Sequence, residues 1–215
     1  AIITATVKAL MAFYGVCIPK PIMANLVLSV ENDELGIAAG LQDRVAQAYE
    51  TPVYMDFNKS IMAKQGYGNY EALDVEKLPN LYIAFRRKMS EGTEVLHNNL
   101  RARFNIGEKA VLDAMEEWAG LTTEFRTAMD SGNSERMAQL INRNFDIRRK
   151  LVHIEAGNIE MVELARQTGA SAKFTGSGGA IIGTYTNEEM FRNLTTTLNK
   201  KEIEVIKPDI VSNPN

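Results

Sequence analysis

One cysteine, one tryptophan, two histidines and six prolines are spread over 215 residues. The lone Cys17 rules out an internal disulfide framework and fits a reducing, cytoplasmic setting. No motif surrounds it, so it is expected as a small buried apolar residue near a helix end rather than a nucleophile. His97 and His153 have no cluster of ligand-type neighbours and are expected as polar surface or helix residues. No run approaches the ~18 apolar residues of a membrane span. Charge of one sign is also lacking. A formal net charge of −3 argues against a nucleic-acid binder with a broad basic face. No internal repeat or low-complexity segment stands out.

What remains is an ordinary globular composition, 45% hydrophobic and 24% charged, long enough for one large or two small domains. Residues 2–14 read as a helix with Ile3, Val7, Leu10, Met11 and Tyr14 on one face and Gly15 as its stop. Pro19 and Pro21 open a second helix reaching about Leu35, with Ile22, Leu26, Val27 and Val30 on its buried side. A third runs from near Leu41 to before Pro52. Strands are expected at Val53–Phe57 and Leu81–Phe85, and 58–80, with Gly66, Gly68 and Pro79, reads as a crossover between lobes. From Gly92 to Gly169 the pattern is helical, broken at Gly107, at Asp130–Asn133 and around Gly157. Strands near 171–175 and 180–185, a helix near 187–199 and a strand at Ile203–Ile206 follow. The tail Ser212–Asn215 is expected to fray. The order is mixed α+β, with helices clustered between strands.

Two motifs carry chemistry. Ala172-Lys173-Phe174-Thr175-Gly176-Ser177-Gly178-Gly179-Ala180 runs a small-residue loop into an apolar strand. Its successive N–H groups can form an anion-binding concavity, although such a loop also reads as a tight turn before a strand. Gly36-Ile37-Ala38-Ala39-Gly40-Leu41-Gln42-Asp43-Arg44, preceded by Glu31, leads into a helix. Taken alone, Asp43 there reads as a helix cap.

Together, in this order, the motifs resemble those of the GHMP family of small-molecule kinases. Gly40–Gln47 followed by Val53–Phe57 is similar to the glucuronokinase branch. So are Asn144–Arg149, Asn158–Glu163 and Lys173–Ala180. The likeness runs from Ala1 to about Ile206. It implies a two-lobed α+β fold, with a remnant of the N-terminal, ATP-binding domain over 1–63 and a ferredoxin-like C-terminal domain over 64–215. It also implies ATP and Mg²⁺ as cofactors, and transfer of phosphate to the anomeric hydroxyl of D-glucuronate. Galactose, a heptose phosphate, or a non-catalytic role are the alternatives.

Residue by residue, the resemblance makes Asp43 the base or orienter of the acceptor hydroxyl. Glu31 becomes the magnesium ligand, with Glu34 as fallback. Gly176, Ser177, Gly178 and Gly179 become the phosphate cradle, with Thr175 adding a hydroxyl. A sugar acid brings a carboxylate, for which arginine is suited. Arg44 and Arg148 are the first candidates, with Arg101, Arg103 and Arg149 behind them and surface ion pairs as the alternative role for each. Lys173 is expected as a solvated strand end. The family's earlier P-x-x-x-G-L-x-S-S-A loop has no counterpart, since Ala1-Ile2-Ile3-Thr4-Ala5 resembles the helix that follows it. The chain is therefore expected to be the C-terminal portion of a longer kinase, inactive alone and partnered by the missing segment.

Overall fold

A computed structural model describes residues 1–37, 39–87 and 100–211. It divides into two compact units, Ala1–Glu76 with the end of the chain from Val211, and Lys77–Ile210.

The first unit is built from α1 (Ile2–Tyr14), α2 (Lys20–Ser29), α3 (Leu41–Tyr49), α4 (Lys59–Gln65) and a hairpin of β1 (Val53–Asp56) and β2 (Asn69–Ala72). Gly15 ends α1 in the left-handed conformation at φ 64°, returning its N–H to the Met11 carbonyl. Pro21 sits in the first turn of α2, where no N–H is needed. The helix then widens into a π turn at Val30–Glu34. Met23, Ala24 and Val27 of α2 pack on Val45 and Ala48 of α3, with Ile3, Val7 and Met11 of α1 against them. The buried stripe of α2 is thus rotated from the expected one. Ile22 and Leu26 are 45% and 40% exposed, while Met23 and Ala24 are buried. Leu10 and Tyr14 are likewise exposed, and the buried polar residue of α1 is Thr4, whose hydroxyl donates to Gln47 Oε1 at 2.6 Å.

The stretch 58–80 carries the chain from the first unit to the second at Glu76–Lys77, but most of it is not a bare connection. It folds as α4 and β2, and β2 returns antiparallel to β1 in the register Val53↔Ala72 to Asp56↔Asn69. The polar backbone of β1 needs that partner, so the first unit extends to Glu76. The hairpin closes tightly at Gly68, where an added Cβ would lie 2.4 Å from the Asp56 carbonyl oxygen.

The second unit contains β3 (Leu81–Phe85), α5 (Lys109–Asp130), α6 (Ser134–Leu151), α7 (Ala156–Gln167), β4 (Lys173–Phe174), β5 (Ala180–Thr184), α8 (Glu188–Asn199) and β6 (Glu204–Ile206). Its sheet is antiparallel in the order β4-β5-β3-β6. Helices separate β3 from β4 and β5 from β6, which is the ferredoxin-like arrangement. Tyr82 and Ala84 of β3, Phe145 of α6, Met161 and Val162 of α7, Ile181 of β5 and Leu194 and Leu198 of α8 form the core. The helical break expected near Gly157 falls at 152–155 instead, with Gly157 inside the first turn of α7. Cys17 is exposed, not buried, because it follows the end of α1 instead of packing under it. His153 is exposed as expected. His97, the start of the helical region at Gly92 and the tail 212–215 lie outside the described residues. Among the described residues no helix is long and apolar enough to cross a membrane.

Gly183 shows how tightly the sheet is built. A Cβ there would fall 1.6 Å from the Ser171 carbonyl oxygen, the same atom that accepts the Tyr82 hydroxyl at 2.8 Å. Gly183→Ala must therefore push two backbones apart beside a buried hydrogen bond. The expected loss is about 3 kcal/mol, read as a lowered denaturation midpoint at unchanged slope. A midpoint equal to the parent's would refute this packing.

Candidate functional site

The described structure gathers the expected residues into two groups, one on each unit. In the first, the π turn that follows α2 carries Glu31. The Ile37 N–H returns to the Glu31 carbonyl at 2.8 Å, and the Ala39 N–H donates to Asn32 Oδ1 at 3.1 Å. Gly36, at φ 64°, makes the bend, and Gly40 leads in extended form into α3. Asp43 then falls in the first turn of α3 with its side chain 78% exposed.

Arg44 folds back instead of diverging from its neighbour. Its NH1 donates to the Gly40 carbonyl at 3.1 Å and to Asp43 Oδ2 at 3.3 Å. Its NH2 is ion-paired with Glu31 Oε2, and the two side chains are 12% and 6% exposed. The contact is an ion pair without regular hydrogen-bond geometry at Glu31 Oε2, and Arg44 Nε also lacks an acceptor. Glu31, Asp43 and Arg44 thus form one charged cluster. Glu34 is exposed.

This cluster fits magnesium poorly. Mg²⁺ takes one or two carboxylates beside phosphate oxygens and water, but Glu31 is buried against a fixed guanidinium whose charge opposes a second cation. No group of three metal-ligating side chains occurs among the described residues. Glu31 is a ligand only if Arg44 leaves it. Arg44, equally, spends NH1 on the Gly40 carbonyl and Asp43 and NH2 on Glu31, so with only its buried Nε left it offers no fork to a substrate carboxylate.

The second group surrounds the glycine loop between β4 and β5. Thr175 holds the loop's neck, its N–H donating to the Ala180 carbonyl at 3.2 Å and its hydroxyl to the same oxygen at 3.3 Å. Gly179, at φ 75°, donates its N–H to Oδ1 of the buried Asn158 at 3.0 Å. Its carbonyl accepts from the Arg86 N–H at 3.4 Å. Between these anchors, the Gly176 and Gly178 N–H groups have no acceptor among the described residues. A Cβ built on Gly176 would meet open space. Ser177 and Gly178 are half-buried.

Arg148, in the last turn of α6, reaches this loop. Its NH1 donates to the Gly176 carbonyl at 2.5 Å, and its guanidinium lies 5.4 Å above the Phe174 ring. Lys173 is not the solvated strand end expected. It is half-buried, with Nζ donating to the Phe174 carbonyl at 3.2 Å. Burial, then the charge of Arg148, pushes its ammonium below the usual lysine range, and burial does the same to Arg148. Arg103 pairs with Glu108 at 2.6 Å and donates to the Leu151 carbonyl at 2.7 Å. Arg149 pairs with Glu163 at 2.7 Å, and Arg101 is exposed. Sequence reading missed Asn158 as the brace of the loop. A buried asparagine on the apolar face of a helix is the signal that could have found it.

The chain is similar to two proteins of Arabidopsis thaliana. It is 44% identical over 187 residues to glucuronokinase 1, covering 85% of this chain and 51% of that protein. It is 45% identical over 188 residues to probable glucuronokinase 2, with the same shares. The chain therefore spans about half the length of the curated relatives it matches. No family model matches it. Its fold is that of phosphomevalonate kinase from Streptococcus pneumoniae, solved with phosphomevalonate and AMPPNP, at TM-score 0.75 and 16% identity, covering 94% of this chain and 65% of that one. Galactokinase of Lactococcus lactis, solved with galactose, superposes at TM-score 0.74 and 17% identity, covering 92% and 61%. Mevalonate kinase of L. major superposes at 0.72 and 16%, covering 97% and 65%. The chain thus shares its sequence with the glucuronokinases over about half of their length, and its fold with GHMP kinases.

Proposed function

We propose that this chain is part of a cytoplasmic, ATP-dependent kinase that phosphorylates the anomeric hydroxyl of D-glucuronate, giving glucuronate 1-phosphate and ADP. The observation that carries the reading is the 44% identity to a glucuronokinase over 85% of the chain. The identity spans both the Asp43 segment and the glycine loop. In this reading the anomeric oxygen attacks the terminal phosphorus of ATP, its bond to phosphorus forms as the bond to ADP breaks, and its proton passes to Asp43. Phosphoryl transfer asks the protein mainly for positioning and charge stabilisation. Asp43 is suited to the proton because its carboxylate is exposed yet held by Arg44 NH1 at 3.3 Å.

The Gly176 and Gly178 N–H groups are the proposed phosphate contacts, with the Thr175 hydroxyl beside them. Arg148 is the proposed substrate-binding arginine. Magnesium would enter bound to the nucleotide's phosphates and screen their charge. Glu31, paired as it is, does not fit as its ligand, and no step is assigned to it.

Gly176 gives a clean test of the phosphate contact, because an added side chain there meets no protein atom. Gly176→Val is expected to keep its melting temperature while ATP affinity falls about tenfold, or 1.4 kcal/mol. Unchanged ATP affinity in the folded variant would remove the loop from the nucleotide site. The substrate is tested by offering the complete gene product D-glucuronate, galactose and a heptose phosphate in turn. The expected outcome is turnover of glucuronate far above the other two. Preference for either of the others would replace the substrate while leaving the kinase reading in place.

A further inference from the structure

We infer that Lys173 and Arg148 together form a two-cation site for an oxyanion, opening beside Gly176 of the glycine loop. The inference deepens the kinase reading by adding Lys173, but its geometry stands apart from it. Both cations gather on one residue: Arg148 lies over the Phe174 ring at 5.4 Å and Lys173 donates to the Phe174 carbonyl at 3.2 Å. Both are half-buried, and neither has a carboxylate partner among the described residues. The acids nearby in sequence are already engaged, Asp146 by Arg166 and Glu163 by Arg149, each at 2.7 Å.

Two like charges drawn out of water with no counterion are costly. Such an arrangement is held by the surrounding fold and is relieved when an anion arrives. The protein contacts leave donors over. Arg148 spends NH1 on the Gly176 carbonyl, leaving NH2 and Nε as a fork for a planar or tetrahedral oxyanion. Lys173 spends one of three N–H bonds on the Phe174 carbonyl. The Gly176 and Gly178 N–H groups, without acceptors among the described residues, lie in the same loop and add to a concavity that favours negative charge. The ligand chemistry is therefore an oxyanion with at least two accepting oxygens. A nucleotide phosphate and a sugar carboxylate both supply it.

Lys173→Met and Lys173→Arg separate these cases in the complete gene product. Calorimetric binding is measured for a non-hydrolysable ATP analogue, for D-glucuronate, and for D-glucose as the uncharged control. Lys173→Met is expected to weaken one anionic ligand by about tenfold or more, the scale of a hydrogen bond to a charged group. Arg148→Gln should weaken the same ligand, Lys173→Arg should restore it, and glucose should be unaffected. Loss confined to the ATP analogue assigns the site to phosphate, and loss confined to glucuronate assigns it to the carboxylate. Because Lys173 sits desolvated and unpaired, the ligand-free Lys173→Met protein should melt no lower than the parent. A lysine with a merely structural role would lower it.

Unchanged affinity for both anions in folded Lys173→Met overturns the inference. So does a fall for both that tracks a lowered melting temperature and is not restored by arginine. If the parent binds the anions through Lys173 but phosphorylates no sugar, the site stands and the kinase reading fails. If the parent turns over glucuronate while Lys173→Met binds both ligands normally, the reading stands and the site fails.

Discussion

Asp43→Asn is expected to lower turnover of the complete gene product by ~10²–10⁴-fold, the range typical of a lost general base, while leaving ATP affinity near the parent value. The change is nearly isosteric. The side chain is 78% exposed and accepts the 3.3 Å bond from Arg44 NH1, so no buried structure is disturbed. Asparagine can still accept that bond but cannot take a proton from an attacking hydroxyl. Turnover and nucleotide affinity are measured on the same preparation. A variant keeping more than about a tenth of parent turnover, a loss short of the lower end of that range, would remove Asp43 from the proton transfer.

Glu31→Ala is expected to destabilise the protein by about 3–5 kcal/mol, the cost of leaving one member of a buried ion pair alone. Glu31 and Arg44 are 6% and 12% exposed, and Arg44 Nε already lacks an acceptor, so the orphaned guanidinium has little access to water. Removing both charges, as Glu31→Met with Arg44→Met, should recover most of that loss, since apolar replacement of a whole buried pair is often neutral or better. Denaturant midpoints of the parent, Glu31→Met, Arg44→Met and the double variant form the double-mutant cycle that isolates the pair. A Glu31 whose role is to hold magnesium predicts otherwise: stability unchanged in Glu31→Ala, and a raised magnesium requirement.

The elements that local chemistry dictates were legible in the sequence. The end of α1 at Gly15 follows from a left-handed cap that glycine supplies cheaply. α8 at Glu188–Asn199 follows from Asn187, whose side chain accepts the Met190 N–H, and from a clear apolar stripe. The four strands of the second unit fell close to their observed bounds, and the order β4-β5-β3-β6 is the ferredoxin-like one that the family resemblance implied. What depends on distant partners was hidden. β2 is a four-residue strand, Asn69–Ala72, with an exposed, polar composition, and it exists because β1 lies beside it. The rotated stripe of α2 is set by where Val45 and Ala48 of α3 happen to lie.

At the site the same division holds. The glycine loop and Asp43 announce themselves by residue type. That Arg44 turns back onto Glu31, that Asn158 holds Gly179 across 21 positions, and that α6 brings Arg148 over Phe174 across 26 are consequences of packing. No local pattern encodes them.

The central claim is that this chain carries the phosphate-transferring end of a glucuronate kinase. It is tested most directly by incubating the complete gene product with ATP, magnesium and D-glucuronate and resolving the products by phosphorus-31 NMR. The account predicts stoichiometric ADP and a single sugar phosphate whose phosphorus couples to the anomeric proton. ATP left intact in the presence of glucuronate, or a phosphate on another hydroxyl, would contradict it.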